Sequence, residues 1–414
     1  MSQTNSSSTG ARSSGAGPLA GLRVIELGQL LAGPFVGSRL ADFGAEVIKI
    51  EPPGNGDPMR QWGHHRFEGK PLWWPVLARN KKSVTANLRD PQGQELVRRL
   101  AAEADALVEN FKPGTLEKWG LGPEELHKIN PRLIIVRVSG FGQTGPYSER
   151  PGFASVGEAM GGIRYINGAP DQPPPRFGIS LGDTLTALFA FEGLLMALYW
   201  RDVKGNGKGQ VVDAAINESC FAMLESALPE FDKLGVVRKP SGTSLPNVAP
   251  SNIYKTSDGA WMVIAANLDP MFRRLCKAMG RPELADDPAY VNHKARGENA
   301  EVLDDLISRW TSTMDKAQLT AVLDEAGVVC GPIYTIEDIA NDPHYQARGM
   351  IQKVKDPRFG EIAVPGAVPK LSETPAEIAW LGPEMPGSHN DEIYRGVLKF
   401  DAETIERMKS AGVI

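Results

Sequence analysis

Short apolar runs alternate with amphipathic stretches through the first half of the chain. LRVIEL (22–27) is a compact apolar run of the kind that forms a buried strand, and AEVIKIE (45–51) is a second. Between them GQLLAGP turns the chain into a short helix, FVGSRLADFG, with Pro34 at its start and Gly44 at its end. That placement follows the usual asymmetry of helix termini. Strand, helix and strand in this order predict a βαβ unit, and hence a parallel sheet with crossover helices. SVTANL (83–88), ALVENF (106–111) and RLIIVRVSGFG (132–142) predict further strands. PQGQELVRRLAAEA (91–104) predicts a helix, because Leu96, Leu100 and Ala104 fall four apart on one face.

The texture changes from about residue 202. A Gly-rich turn, KGNGKG, precedes QVVDAAI and a helical stretch with Met223, Leu224 and Leu228. SDGAWMVIAA (257–266) reads as a hairpin turn leading into a strand, and helical segments run on to about residue 327. Short strands near 351–364 and a helix from Asp401 close the chain. The expected architecture is α/β: a large Rossmann-like domain from 19–225 and 335–414, its parallel sheet built from both chain ends. A smaller α+β domain, 226–334, is inserted. Residues 1–18, rich in Ser and Gly, read as a disordered tail rather than a signal sequence. TLTALFAFEGLLMALYW (184–200) is the most membrane-like segment, but it is short and carries Glu192, so it reads as a buried core helix.

Composition narrows the class. The chain has 414 residues, 42% of them hydrophobic and 23% charged, with a net charge of -5. This suits a cytoplasmic enzyme and argues against nucleic acid as a partner. Cys220, Cys276 and Cys330 lie far apart with no CxxC, so buried reduced thiols are expected. The histidines make no metal-ligand spacing, and no metal is expected. SGFG (139–142) is not a GxSxG elbow, which removes the usual serine hydrolase.

Three places remain for chemistry. Asp183, in GISLGDTLTALFAF, stands where a loop meets a long apolar helix. An aspartate there is a favoured helix cap; it is also an ionised carboxylate able to attack a thioester, and the two roles are compatible. The turn Gly28 to Pro34 presents backbone N–H groups at a helix start, where a phosphate or an amide can bind, although its glycines at 28, 33 and 37 do not spell GxGxxG. Glu51, at the end of the second strand, would hold a ribose in a dinucleotide enzyme, a weak signal without that fingerprint. Arg60, Arg66, Lys70, Arg79, Lys81, Lys82 and Arg89, with Trp62, Phe67, Trp73 and Trp74, are either an adenine-bearing polyanion's surface or a solvated face beside core tryptophans.

PLAGLRVIELGQLLAGP, ADFGAEVIKIEPPGNGDPMR, RNKKSV, VENFKPGTLEKWGL, SGFGQTGPY and SLGDTLTA, in this order and spacing, resemble the class III (CaiB/BaiF) CoA-transferase family from about Pro18 to Ile414. The resemblance implies an interlocked homodimer and CoA esters as substrates, with no permanently bound cofactor. It implies an aspartate nucleophile at Asp183, passing through a mixed anhydride and an aspartyl-CoA thioester. It also implies that Leu31 and Ala32 touch CoA, and that Arg89, Asn110, Phe111, Lys112 and Lys118 line the nucleotide and pantetheine. Pro52 stands where some members carry a CoA-binding arginine, and Arg60 is the nearby substitute.

Related α-methylacyl-CoA racemases use a His-Asp dipeptide where this chain has Phe153-Ala154, neither of which can take a proton. Racemase activity is therefore not expected, and a racemase-like CoA-ester enzyme and a non-catalytic acyl-CoA binder stand as the alternatives to transfer. PGFASVGEAMGGIRYINGAP, LESALPEFDKLG and NVAPSNIYKTSDG look like the branch that uses succinyl-CoA with short dicarboxylates such as citramalate, itaconate or mesaconate. A second acceptor carboxylate needs a cation or N–H donors, and Arg164 and Arg176 are candidates by chain position.

Overall fold

A computed structural model describes residues 17–414. The expected tail, 1–18, lies outside the described residues except for Gly17 and Pro18. Six strands form one parallel sheet: β1 (Arg23–Glu26), β2 (Glu46–Glu51), β3 (Lys81–Thr85), β4 (Ala106–Glu109), β5 (Ile134–Ser139) and β6 (Val211–Ala215). Their order is β3-β2-β1-β4-β5-β6. The chain winds outward from β1 in one direction and from β4 in the other, the doubly wound Rossmann arrangement.

Register explains why both sheet faces are apolar. Ile25 lies opposite Ile48 and Leu107, while Val24 lies opposite Val47 and Ala106. Successive side chains point to opposite faces. Ile25, Ile48, Leu107 and Ile135 therefore share one core, and Val24, Val47, Val108 and Val136 another. Helix α1 (Ala32–Asp42) covers the valine face with Val36 and Leu40, beside α3 (Leu181–Tyr199) with Ala187, Ala190 and Leu194. Helix α2 (Pro91–Ala102) covers the other face with Leu96 and Leu100. Two C-terminal helices, α4 (Asn390–Gly396) and α5 (Ala402–Ser410), complete that layer with Ile393, Tyr394, Ile405 and Met408.

Two expectations need correction. The sheet is not built from both chain ends, because the C-terminal end supplies helices to it and no strand. Ile351–Asp356 and Gly360–Pro365 pair with each other as a separate antiparallel ribbon. IQKVKD carries only two apolar residues, Ile351 and Val354, among four polar ones, which suits a ribbon open to water, whereas a parallel strand buried on both faces needs a continuous apolar run. VVDAA (211–215) forms the edge strand instead. Helix α3 is likewise not buried all round. It is long and apolar enough to cross a membrane by length and composition, and 33% of its most apolar stretch is buried. Small residues face the sheet; Leu188, Phe189, Met196 and Tyr199 are exposed.

The chain divides into two compact units. The first runs to Ile163 and continues over Phe177–Glu225 and Ala347–Ile414; the second joins Arg164–Arg176 to Ser226–Gln346. The second thus reaches beyond the expected 226–334. Gly242 N–H donates to the Gly168 carbonyl, and Lys316 pairs with Asp338 at 3.0 Å, which ties both added segments to it. Its three-stranded antiparallel sheet packs Tyr254, Met262 and Ile264 against Phe272, Leu275, Leu303, Ile307, Leu319 and Leu323 from its helices, an α+β unit.

Candidate active site

A doubly wound sheet binds its ligands beyond the carboxyl ends of its strands, where the strand order reverses. Here that point lies between β1 and β4. The loop after β1 runs through Gly28 to Leu31, and the loop after β4 opens with Asn110, Phe111 and Lys112. Asn110 joins the two. Gln29 N–H donates to Asn110 Oδ1 at 2.8 Å, and Asn110 Nδ2 donates to the Gln29 carbonyl at 2.9 Å. The glycine spacing that fits no dinucleotide fingerprint has its reason in these contacts. A Cβ on Gly28 would stand 3.0 Å from Asn110 Oδ1, one on Gly33 would stand 3.2 Å from its Cγ, and one on Gly37 would land on the Glu26 carboxylate. Side chains of this protein, rather than a pyrophosphate, fill the space the glycines leave.

Buried charges brace the turn from below. Lys49 Nζ lies 3.0 Å from Glu26 and 2.7 Å from Asp57, and it donates to the Gly28 carbonyl at 2.7 Å. Lys81 Nζ lies 2.8 Å from Glu26 and donates to the Pro34 carbonyl at 2.6 Å. Asp57 Oδ1 accepts the Leu30 N–H at 3.1 Å, while Leu30 sits at φ 62, a left-handed conformation unusual for a leucine. All four charged side chains are at most 1% exposed. Burial opposes charge on Lys49, but the carboxylates of Glu26, Asp57 and Glu51 outweigh it and hold the ammonium above its ordinary pKa.

This network changes the reading of the basic stretch. Arg60 pairs with Glu51 through Nε and Nη2 at 2.7 Å each, donates from Nη1 to the Pro383 and Glu384 carbonyls, and stacks 3.8 Å over Trp74. It is a strut in the wall, which corrects the expectation that it replaces a CoA-binding arginine. Glu51, bound to Arg60, Ser83 and the Asp57 N–H, is equally unfit to hold a ribose. Arg79 chelates Asp42, and Lys82 bridges Glu46 and Glu392. Four of the seven cations, Arg60, Arg79, Lys81 and Lys82, are partners of buried acids, while Arg66 and Arg89 are exposed.

The remaining sequence-derived positions divide by exposure. Leu31 is half-buried and Ala32 buried, at the start of α1. Phe111 stacks edge-on against Trp119 with ring centres 5.2 Å apart. Arg89, Lys112 and Lys118 are exposed, and no ion pair among the described residues engages them. Arg164 is half-buried and Arg176 exposed.

Asp183 is the third residue of α3, whose cap position belongs to Ser180. The aspartate is thus a first-turn residue and not the cap. A helix that feeds the parallel strand β6 must begin at the carboxyl edge of the sheet, so Asp183 stands on the same edge as the 28–31 turn and Asn110. Ser180 makes no side-chain cap bond. Glu158, on the helix Ala154–Met160, supplies one from outside, its Oε1 accepting the Gly182 N–H at 2.9 Å. The positive end of the α3 dipole favours an anion at this turn.

Residues 19–390 match CoA-transferase family III. The chain is 56% identical over 397 residues to a succinyl-CoA–D-citramalate CoA-transferase of Chloroflexus aurantiacus, covering 96% of this chain and 98% of that one. It is 40% identical over 400 residues to the beta subunit of a succinyl-CoA–L-malate CoA-transferase of the same organism, covering 96% and 98%. A crystal structure of a CaiB/BaiF family protein from Brucella suis superposes with a TM-score of 0.82 at 37% identity, covering 92% of this chain and all of that one. The chain belongs to CoA-transferase family III.

As a CoA-transferase, the protein has to carry an acyl group without losing it to a bystander nucleophile. Cys220, at the same sheet edge on the helix Ile216–Phe221, is fully buried. Burial pushes its thiol up to about 11, and the Glu158 and Asp183 carboxylates add to the shift. A thiol kept protonated is a poor competitor for an acyl group. Among the described residues of the CoA-transferase no group of three or more His, Cys, Asp or Glu is placed to hold a metal. Sequence reasoning missed Glu158, Asp57 and the Lys49–Glu26–Lys81 chain, because each is an ordinary charged residue until its burial is known. The one available signal was charge inside strands, as in EVIKIE and KKSVT.

Proposed function

We propose that the enzyme transfers CoA from succinyl-CoA to a short, C4–C6 dicarboxylic acid, with Asp183 as the covalent nucleophile. One Asp183 oxygen attacks the donor thioester carbonyl and the C–S bond breaks, giving a mixed anhydride and CoA thiolate. The thiolate attacks the Asp183 carbonyl, releasing the donor acid as its carboxylate and leaving an aspartyl-CoA thioester. The acceptor carboxylate repeats both steps in reverse, and Asp183 is regenerated. No proton or external oxidant is needed. The observation that carries this reading is Asp183 on the first turn of α3, at the edge where the 28–31 turn and Asn110 meet.

The 56% identity to an enzyme named for succinyl-CoA and D-citramalate supports the choice of donor and acceptor class. Leu31, Ala32, Asn110 and Phe111 form the wall against CoA, and Arg89, Lys112 and Lys118 are the cations free for its phosphates. The chain works as an interlocked homodimer in the cytoplasm. The exposed Leu188, Phe189, Met196, Tyr199 and Trp200 of the α3 region support such a partner, since a surface so apolar is ordinarily covered. Phe153-Ala154 argues against a racemase, as neither residue moves a proton.

Intact-protein mass spectrometry after mixing with succinyl-CoA tests the reading. Wild type should gain a CoA adduct that maps to Asp183 and is removed by hydroxylamine, and Asp183→Ala should gain none. A folded wild type that binds CoA and forms no adduct with any acyl-CoA would return Asp183 to a structural role.

A further inference from the structure

We propose that Glu158 is a positioning residue that keeps Asp183 reactive, a role that rests on Asp183 being the nucleophile. Glu158 is 1% exposed, and its helix, Ala154–Met160, packs against both α3 and the Cys220 helix. One oxygen holds the Gly182 N–H, next in the chain to Asp183. The other, Oε2, is buried with no hydrogen-bond partner. Burial raises the Cys220 thiol, and the Glu158 and Asp183 carboxylates add to that shift. A buried acid with one oxygen on the first turn of a helix and the other unpaired is poorly explained as a cap alone. Ser180 stands at the cap position and makes no cap bond, so this helix start is held by a buried acid where a neutral hydroxyl was available.

Its charge has a use in this reaction. The free N–H groups at a helix start stabilise an anion there, and every such donor pointed at Asp183 weakens it as a nucleophile. Glu158 occupies the Gly182 donor and sets a second negative charge nearby. Repulsion between the two acids raises the energy of the Asp183 carboxylate before it is acylated. The repulsion is relieved as Asp183 attacks, because anhydride and thioester are both neutral at that side chain. The leaving thiolate and the departing dicarboxylate carry the charge away. The ground state is raised more than the transition state, and such a difference accelerates the step.

Two pairs of variants, each matched in shape and differing in charge, test this. Glu158 against Glu158→Gln keeps the length and the acceptor toward Gly182; Glu158→Asp against Glu158→Asn does the same one methylene shorter. The readout is the single-turnover rate of aspartyl-CoA thioester formation at saturating succinyl-CoA, beside the melting temperature and the dissociation constant for CoA. In each pair the neutral member should be slower by roughly tenfold or more, with CoA affinity unchanged within the pair. The charged Glu158→Asp should outpace the better-fitting Glu158→Gln. Equal rates within the pairs, or Glu158→Gln faster than Glu158→Asp, would reduce Glu158 to a structural cap. If one pair fails to fold, the other decides. Wild type without an adduct at Asp183 would overturn the nucleophile itself, which separates that failure from this one.

Discussion

Two helices begin at the same edge of the sheet, and neither start is capped by its own side chain: Leu31 precedes α1 and Ser180 precedes α3, both without a cap bond. The way each start is held differs. The α1 turn is fixed from many sides by Asn110, Asp57, Lys49 and Lys81, in a network of acids and bases without access to water. The Gly182 N–H of α3 is held by Glu158, a carboxylate with its second oxygen unpaired. A turn that recognises the same cofactor in every cycle gains from rigidity, since a preformed site loses little freedom on binding. On the function proposed above, the first start serves binding and the second, beside the unpaired Glu158 oxygen, serves reaction.

Breaking the α1 brace should have the largest effect on stability. Lys49→Met leaves the Asp57 and Glu26 carboxylates buried with less opposing charge, and removing one member of such a network typically costs about 3–5 kcal/mol. Urea denaturation should show a loss of that size, while Glu158→Gln should shift the midpoint little. A loss of less than about 1 kcal/mol for Lys49→Met would mean that Lys81 alone sustains the network and that the turn is less overdetermined than its contacts imply.

Asn110→Ala sharpens the comparison at smaller amplitude. It strips both backbone groups of Gln29 of their partners, a change on the order of 1–3 kcal/mol if they stay unsatisfied. The expected result is weaker CoA binding with little change in the rate of thioester formation once succinyl-CoA is saturating. A rate that falls while affinity holds would place Asn110 with the chemistry and dissolve the division between the two turns.

This division marks where the sequence was legible. Apolar runs such as LRVIEL and RLIIVRVSGFG announce parallel strands because both faces are buried; four strands of the sheet lie within the segments so read, and Lys81–Thr85 overlaps the segment read at 83–88. Asp183 stands out because a polar residue opens a long apolar helix. The sixth strand, VVDAA, is mixed in character because an edge strand is wet on one side, and its burial pattern shows it. Arg60 and Lys81 look like surface cations in the chain, since only the fold brings Glu51 and Glu26 against them. Glu158 lies 25 positions before Asp183, and nothing local distinguishes it from a solvated acid. The elements that propensity and periodicity specify are readable; charges whose partners are distant are not.

The smallest expected effect reaches the α1 brace from the far side. His389 stands at the cap position of α4, its Nδ1 accepting the Ser83 N–H at 3.1 Å, while the Ser83 hydroxyl bonds Glu51 within the brace. Burial holds the imidazole below its ordinary pKa; Glu392 opposes this and Lys82 adds to it. An Nδ1 that accepts a hydrogen bond carries no proton, so the folded state favours the neutral ring and the unfolded state binds more protons. The sign follows: this contribution is present above the ordinary imidazole value of about 6.5 and is lost as pH falls below it. His389→Asn can still accept from Ser83 and does not titrate there. Denaturation at pH 7.5 and at pH 5.5 should show wild type losing more stability than the variant, by less than either substitution above. Equal losses would show that protonation leaves the Ser83 contact intact and that the brace ends at Glu51.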